Sequence, residues 1–302
     1  MIGTSSSGKT FTFGVPGLQA GLSKAKLDSK GKNKAGPVIL VVAPTRELAV
    51  QTQEQLEIIG KSCGQNTLCV FGGVSKENQI TALKQQRPIA VVGTPGRLLD
   101  LARDHLLDLG NVSYLVLDEA DRMLDKGFEP DIRAIIAMTK STGSGRQTCM
   151  FSATWPPAVR TLAETFMKDP VKVTVGSPDL AANRRITQSV FVLEGRDKER
   201  KLQDVLRQYY SEKGRTRQDR ILVFALYKKV SRTRAYRSSP LNRLCTLLSQ
   251  EAQRVENNLR RLGHTVAGIH GDLSQNDRLA SLAGFKSAET PILVATGECQ
   301  DA

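Results

Sequence analysis

The chain of 302 residues is short of several things, and each scarcity narrows what it can be. No apolar run approaches the roughly 20 residues that cross a bilayer, so no membrane segment is expected. The first residues carry no basic stretch followed by an apolar one, so no secretory leader is expected either. Cysteine is sparse and scattered: Cys63, Cys69, Cys149, Cys245 and Cys299 form no CxxC pair. Such a set suits a reducing compartment and speaks against both a disulfide framework and a zinc site. Aromatic residues make up 5% of the chain, which argues against a surface that binds single strands by stacking on their bases.

Positive charge, by contrast, is plentiful. A formal net charge of +13 draws polyanions, and nucleic acid is the commonest of them. Hydrophobic content of 40% with 24% charged residues is that of a globular chain long enough for two separate cores.

Short aliphatic runs alternate with amphipathic helical patterns. Val38–Pro44, Thr67–Gly73, Ile89–Pro95, Tyr114–Asp121 and Gln147–Thr154 read as buried strands. Each is too short for a typical helix and ends in turn-forming or polar residues. "TRELAVQTQEQLEIIGKS" between the first two reads as a helix with Leu48, Gln51, Gln55, Ile58 and Ile59 at turn spacing. After "GSPDLAANRRITQ" the alternation restarts: strand "SVFVLE", helix "KERKLQDVLRQYY", strand "RILVFAL", helix "EAQRVENNLRRLG", strand "TVAGIHGD", a helix, and strand "PILVAT". Strand and helix in series imply parallel sheets with right-handed crossovers, an α/β fold with ligands outside the carboxyl ends of the strands. The expected layout is a domain over 1–176, a linker over 177–185 and a second domain over 186–302.

Two motifs at such positions carry chemistry. "GTSSSGKT", Gly3 to Thr10, fits a P-loop: backbone N–H groups from Gly3, Ser7 and Gly8 cradle phosphates, Lys9 reaches the β- and γ-phosphates, and the Thr10 hydroxyl ligates Mg²⁺. A plain Ser/Gly-rich tail is the other reading. "LVLDEAD" ends a strand in Asp118 and Glu119. One carboxylate there holds Mg²⁺, partly through water, and its neighbour orients the attacking water; a helix cap with an acidic first turn is the alternative. "SAT", Ser152 to Thr154, places hydroxyls at the next strand end.

In order and spacing these motifs resemble those of the DEAD-box ATP-dependent RNA helicases, most of all the fungal members that act in nucleolar pre-60S assembly and pre-rRNA processing. The resemblance runs almost end to end. "PTREL" (Pro44, Thr45, Arg46), "FGG" (Gly72, Gly73) and "TPGR" (Thr94, Pro95, Gly96, Arg97) match the family's RNA-contacting motifs, as does "GIHGDLSQNDR" with Gly271, Gln275 and Arg278. "ILVFALYKK" matches a further motif of the second domain. It implies two tandem RecA-like P-loop NTPase domains, with ATP and Mg²⁺ between them and RNA held through its backbone. It also implies a monomer in the nucleus and nucleolus, working on pre-ribosomal particles. Lys9, Asp118, Glu119, Ser152 and Thr154 would be the catalytic set.

Three departures from the family pattern point to impaired activity. Gly3 has only two residues before it, so the strand that aims a P-loop is missing from the first domain, and Ser5 and Ser6 replace the usual Thr-Gly. "PILVATGECQDA" carries Gly297 where the family has an aspartate, and the motifs beyond, including arginines that contact the γ-phosphate, are absent. Third, 230–250 interrupts a strand–helix unit with a Ser- and Arg-rich run. Joining Lys229 to Glu251 gives one amphipathic stripe of Ala252, Val255, Leu259 and Leu262. "VS" and the closing Gln allow GTAAGT…CAG codons, so the segment is expected to be a translated intron, and 297–302 shows the same kind of seam; a genuine inserted loop, with Leu241, Leu244, Leu247 and Leu248 forming a short helix, is the other reading. An RNA-binding fragment without useful ATPase activity, or a P-loop ATPase with a DNA or protein substrate, remain the alternative functions.

Overall fold

The computed structural model describes residues 8–28, 36–140, 145–175, 187–194, 197–211, 220–225, 252–271 and 273–296. Gly3, Ser7, Asp272, the expected linker and the segments 230–250 and 297–302 lie outside them. The chain divides into two compact units, Met1–Ala181 and Ala182–Ala302.

In the first unit β1 (Ile39–Val42), β2 (Thr67–Val70), β3 (Ala90–Gly93), β4 (Tyr114–Leu117) and β5 (Gln147–Met150) fall within the five expected stretches. They form one parallel sheet in the order β2-β3-β1-β4-β5. The register aligns their carboxyl ends: Val42 pairs with Gly93 and Leu117, Val70 with Gly93, and Leu117 with Met150. Every motif after a strand therefore opens on one edge. Leu40, Val42, Leu115 and Leu117 face one apolar layer while Ile39, Val41, Tyr114 and Val116 face another, because successive side chains of a strand point to opposite faces. Burial on both faces is what favours continuous runs such as "ILVV" over polar–apolar alternation.

Helix α1 (Lys9–Asp28) lies on the second of these layers, with Phe13 and Leu18 in it. Gly14, Gly17 and Gly21 form its inner stripe. A Cβ would come within 2.6 Å of Leu56, 3.0 Å of the Tyr114 ring and 2.9 Å of Ile89 respectively, so the stripe lets this helix sit close on β1, β4 and the next helix. In that helix, α2 (Arg46–Ser62), the buried face is Ala49, Thr52, Leu56 and Gly60. The stripe read from sequence is rotated from this face, and Ile58 is 63% exposed. Helices α3 (Lys76–Gln86), α4 (Pro95–Arg103), α5 (Ala120–Asp125), α6 (Glu129–Met138) and α7 (Pro157–Phe166) complete the unit.

The second unit has α8 (Asp197–Ser211), β6 (Ile221–Ala225), helix α9 over 252–261, β7 (Val266–Ile269), α10 (Gln275–Lys286) and β8 (Ile292–Thr296). Its sheet is parallel in the order β6-β8-β7. Ala252, Val255 and Leu259 of α9 pack with Leu206, Ala225 and Ile292, while Leu262 lies past the helix end and is exposed. "SVFVLE" is not a strand: residues 187–194 have no regular structure. Val190 and Val192 are 87% and 98% exposed, so among the described residues the β-branched composition meets neither a pairing partner nor a surface to cover.

Candidate functional site

Gly8 adopts φ +72 with open space where a Cβ would stand, a left-handed turn that glycine enters at no steric cost. It leads into α1, whose first turn contains no acidic residue and whose Gly8 carbonyl accepts from Thr12 N–H at 3.1 Å. A helix start of this kind favours an anion. Lys9 is buried, at 6% exposure. A buried ammonium needs counter-charge, and it has it: Lys9 acts electrostatically on both Asp118 and Glu119. Of this stretch Gly8 is a turn, and Lys9 and Thr10 begin the packed helix α1.

Asp118 stands just past β4. Burial pushes its carboxyl above the usual range, Lys9 and the Glu119 N–H pull it back, and Asp121 adds to the rise. Its Oδ1 accepts from Glu119 N–H at 3.1 Å. Glu119 is likewise raised, by burial first and then by Asp118, against Lys9 and Arg122. Its φ of +53 is uncommon for a non-glycine residue and costs on the order of 1–3 kcal/mol. The side chain makes no capping bond to α5, which weighs against the helix-cap reading. Glu119 Oε2 is buried, 3.9 Å from Arg122 Nε, and has no hydrogen-bond partner. That leaves a carboxylate oxygen with its accepting capacity in hand.

Asp121 was not singled out by its sequence position, yet it is the hub. Thr154 donates to its Oδ2 through the backbone N–H at 2.9 Å and through Oγ1 at 2.6 Å, and Asp121 N–H donates to Ser152 Oγ at 3.3 Å. Burial would raise its carboxyl, but these bonds outweigh that and hold it below the usual range. The hydroxyls of "SAT" therefore serve the acidic motif directly across β4 and β5.

On the other side of β1, Thr45 caps α2 by accepting from Leu48 N–H at 3.2 Å. The Arg46 guanidinium lies over the 72–73 turn, so close that a Cβ on Gly73 would stand 2.8 Å from Cζ; Gly73 also has φ +84. Arg97 Nη2 donates to the Val74 carbonyl at 3.2 Å, Nε lies 3.7 Å from Asp100, and buried Nη1 has no hydrogen-bond partner. Thr94 precedes Pro95 at the start of α4 and makes no side-chain cap, while Gly96 is exposed with open space where a Cβ would stand. Pro44, Thr45, Arg46, Gly72, Gly73, Thr94, Pro95, Gly96 and Arg97 thus come together at the ends of β1, β2 and β3. Cationic groups and free N–H groups in this setting suit phosphates better than base edges.

In the second unit Gly271 is exposed at the end of β7. Ser274 caps α10 by accepting from Asp277 N–H at 3.2 Å. Gln275 is buried and its Oε1 accepts from Arg278 Nη1 at 3.3 Å.

The donors fit a nucleotide with its metal. Asp118 and the half-buried Thr10 offer hard oxygens of the kind Mg²⁺ takes, and a cation beside Asp118 would offset the burial that raises its carboxyl. Among the described residues no group of three or more His, Cys, Asp or Glu would hold a metal alone. Mg²⁺ bound mainly through phosphate and water needs none.

Comparison with known proteins follows the same division. Residues 1–162 match the DEAD/DEAH box helicase family and 197–298 the helicase conserved C-terminal domain. The ATP-dependent RNA helicase DBP3 of Mycosarcoma maydis is 57% identical over 300 residues, covering 98% of this chain and 47% of that protein. DBP3 of Vanderwaltozyma polyspora is 50% identical over 291 residues, with 96% and 49% covered. DBP3 of Kluyveromyces lactis is 46% identical over 296 residues, with 98% and 52% covered. The chain spans about half the length of the curated relatives it matches.

Proposed function

The chain belongs to the DEAD/DEAH box helicase family, and we propose that it hydrolyses ATP with Mg²⁺ to unwind or remodel RNA. The observation that carries this is the division of one sheet edge. Lys9, Asp118, Glu119 and the Asp121–Thr154 pair gather at β4 and β5, while Arg46 and Arg97 gather at the ends of β1 and β3. Bound ATP with Mg²⁺ supplies a γ-phosphoryl group open to attack by water. Lys9 neutralises phosphate charge, and Thr10 and Asp118 hold the metal. Glu119, buried beside Asp118 with an Oε2 that accepts no hydrogen bond, orients water and accepts its proton as a general base. Asp121 and Thr154 tie the two strand ends so that the acidic motif keeps its geometry.

The test is ATP turnover with and without RNA, and with DNA as competitor. RNA-stimulated turnover that DNA does not compete away supports the reading. RNA binding without turnover favours an RNA-binding fragment, and stimulation by DNA or protein favours another P-loop ATPase. Turnover is expected to be weak, because Ser6 stands where the family's loop has a glycine close to phosphate; robust turnover overturns that expectation.

The RNA is proposed to be that of pre-ribosomal particles in the nucleolus, with the chain acting as a monomer. Support comes from the resemblance in sequence to fungal ribosome-assembly members and from the net charge of +13. A tagged chain that stays out of the nucleolus would overturn the assignment. For 230–250 we keep the translated-intron reading, which genomic codons without GT…AG borders at these positions would exclude.

A further inference from the structure

Gln79 lies outside every motif discussed above, yet it is buried, at 9% exposure, on the inner face of α3. Its carboxamide makes two bonds to a single residue. Oε1 accepts from the Phe71 N–H at 3.2 Å and Nε2 donates to the Phe71 carbonyl at 2.9 Å. An amide side chain paired this way acts as a strand neighbour for one residue: it satisfies both polar groups of Phe71 just where β2 has ended and ladder bonds stop. The turn that follows is fixed at its far end as well, where Arg97 Nη2 donates to the Val74 carbonyl. Between these anchors Gly72 and Gly73 lie beneath the Arg46 guanidinium. Helix α3 is itself tied to α4 by Lys76, at 2.8 Å from Asp100 and 2.6 Å from Asp104.

We propose that Gln79 is a positioning residue for RNA: by holding Phe71 it sets the height of the Gly72–Gly73 turn and, through the turn, the place of the Arg46 guanidinium. The inference rests on the proposed RNA role of this edge. Without the carboxamide, Phe71 must find water for its N–H and carbonyl. The turn can then rise into the space Arg46 occupies, since Gly73 and Arg46 have no slack between them. RNA binding should suffer while the β4–β5 half of the edge is untouched.

The experiment uses the full chain and a fluorescein-labelled oligouridylate. Gln79→Met keeps the volume and removes both bonds, and its Kd for the RNA should rise roughly tenfold, as the loss of two neutral hydrogen bonds allows, with the affinity for a fluorescent ATP analogue unchanged. The double variant with Arg46→Ala should bind no worse than Arg46→Ala alone, because one group acts through the other. Gln79→Glu keeps the acceptor and loses the donor. Its deficit relative to the parent should shrink as pH falls and the protonated carboxyl regains an O–H for the Phe71 carbonyl, a trend that loss of fold would not give. If Gln79→Met does not fold, Gln79→Glu carries the test, and a pH-independent deficit overturns the proposal. RNA binding like the parent's in Gln79→Met, with Arg46→Ala weakened, overturns the role of Gln79 alone. No effect of Arg46→Ala overturns the RNA reading of this edge and the proposal with it.

Discussion

Two halves of one sheet edge solve opposite problems. At β4 and β5 Asp118 and Glu119 share one buried lysine with Asp121 beside them, and both are held above their usual titration range by burial first and then by neighbouring carboxylates. At β1, β2 and β3 two arginines lie close on backbone, with Gly73 beneath Arg46 and Arg97 pinned to Val74 and 3.7 Å from Asp100. The first half is an electrostatic arrangement that a polyphosphate and a divalent cation would relax. The second is a steric one, in which Gly73 leaves room for the Arg46 guanidinium and the Val74 carbonyl holds Arg97. Their difference makes separable binding and chemistry along one row of strand ends the consequence of the proposed function.

The largest expected effect falls on the acidic half. Glu119→Gln should lower ATP turnover by roughly 10²- to 10⁴-fold, the usual worth of a general base, with nucleotide affinity kept; steady-state kinetics and analogue binding read both. Arg46→Ala comes next. It should weaken oligouridylate binding and reduce the dependence of log Kd on log salt by about 1, as the loss of one phosphate contact requires. An unchanged salt slope would blur the distinction between the halves.

Smaller effects concern stability. Thr154→Val deletes the hydroxyl bond to Asp121 but keeps the backbone one, and should cost about 1–3 kcal/mol at neutral pH. Asp121 has a lowered folded pKa. The stability it contributes is present above its unfolded pKa and is lost as pH falls through the folded one. The gap between Thr154→Val and the parent should therefore close over that acid window, as urea titrations at several pH values would show. Asp118→Asn tests the opposite sign. A carboxylate with a raised folded pKa destabilises the fold above that pKa, so the variant should melt higher than the parent by a few degrees. A lower melting temperature would mean that the pairing of Asp118 with Lys9 outweighs its burial.

Much of this was legible in sequence, and for a physical reason. Asp118, Glu119, Ser152, Thr154, Arg46 and Arg97 follow strands, and a parallel sheet carries strand ends to one edge whatever lies between them; Lys9 joins the acidic group from the start of α1. Less visible were groups defined by a partner far along the chain. Asp121 bonds to Thr154 across 33 positions. Gln79 grips Phe71 from a helix whose own spacing marks it only as one more polar residue. Arg146, buried with Nη1 2.7 Å from Thr139 Oγ1 and 2.9 Å from the Lys140 carbonyl, carries no local sign of burial at all. "SVFVLE" failed in the other direction, because β-branched composition indicates a capacity to pair and does not provide a neighbour. The glycines and Pro16 of α1 hid a helix for a related reason: Gly14, Gly17 and Gly21 are poor helix formers kept there by packing against Leu56, Tyr114 and Ile89.

The claim that the edge divides into a nucleotide half and an RNA half is tested most directly by measuring two ligands on two variants. Lys9→Ala and Arg46→Ala would each be titrated with a fluorescent ATP analogue and with labelled oligouridylate. The account predicts that Lys9→Ala loses the nucleotide and keeps the RNA, and that Arg46→Ala does the reverse. Loss of both ligands by either folded variant would contradict it.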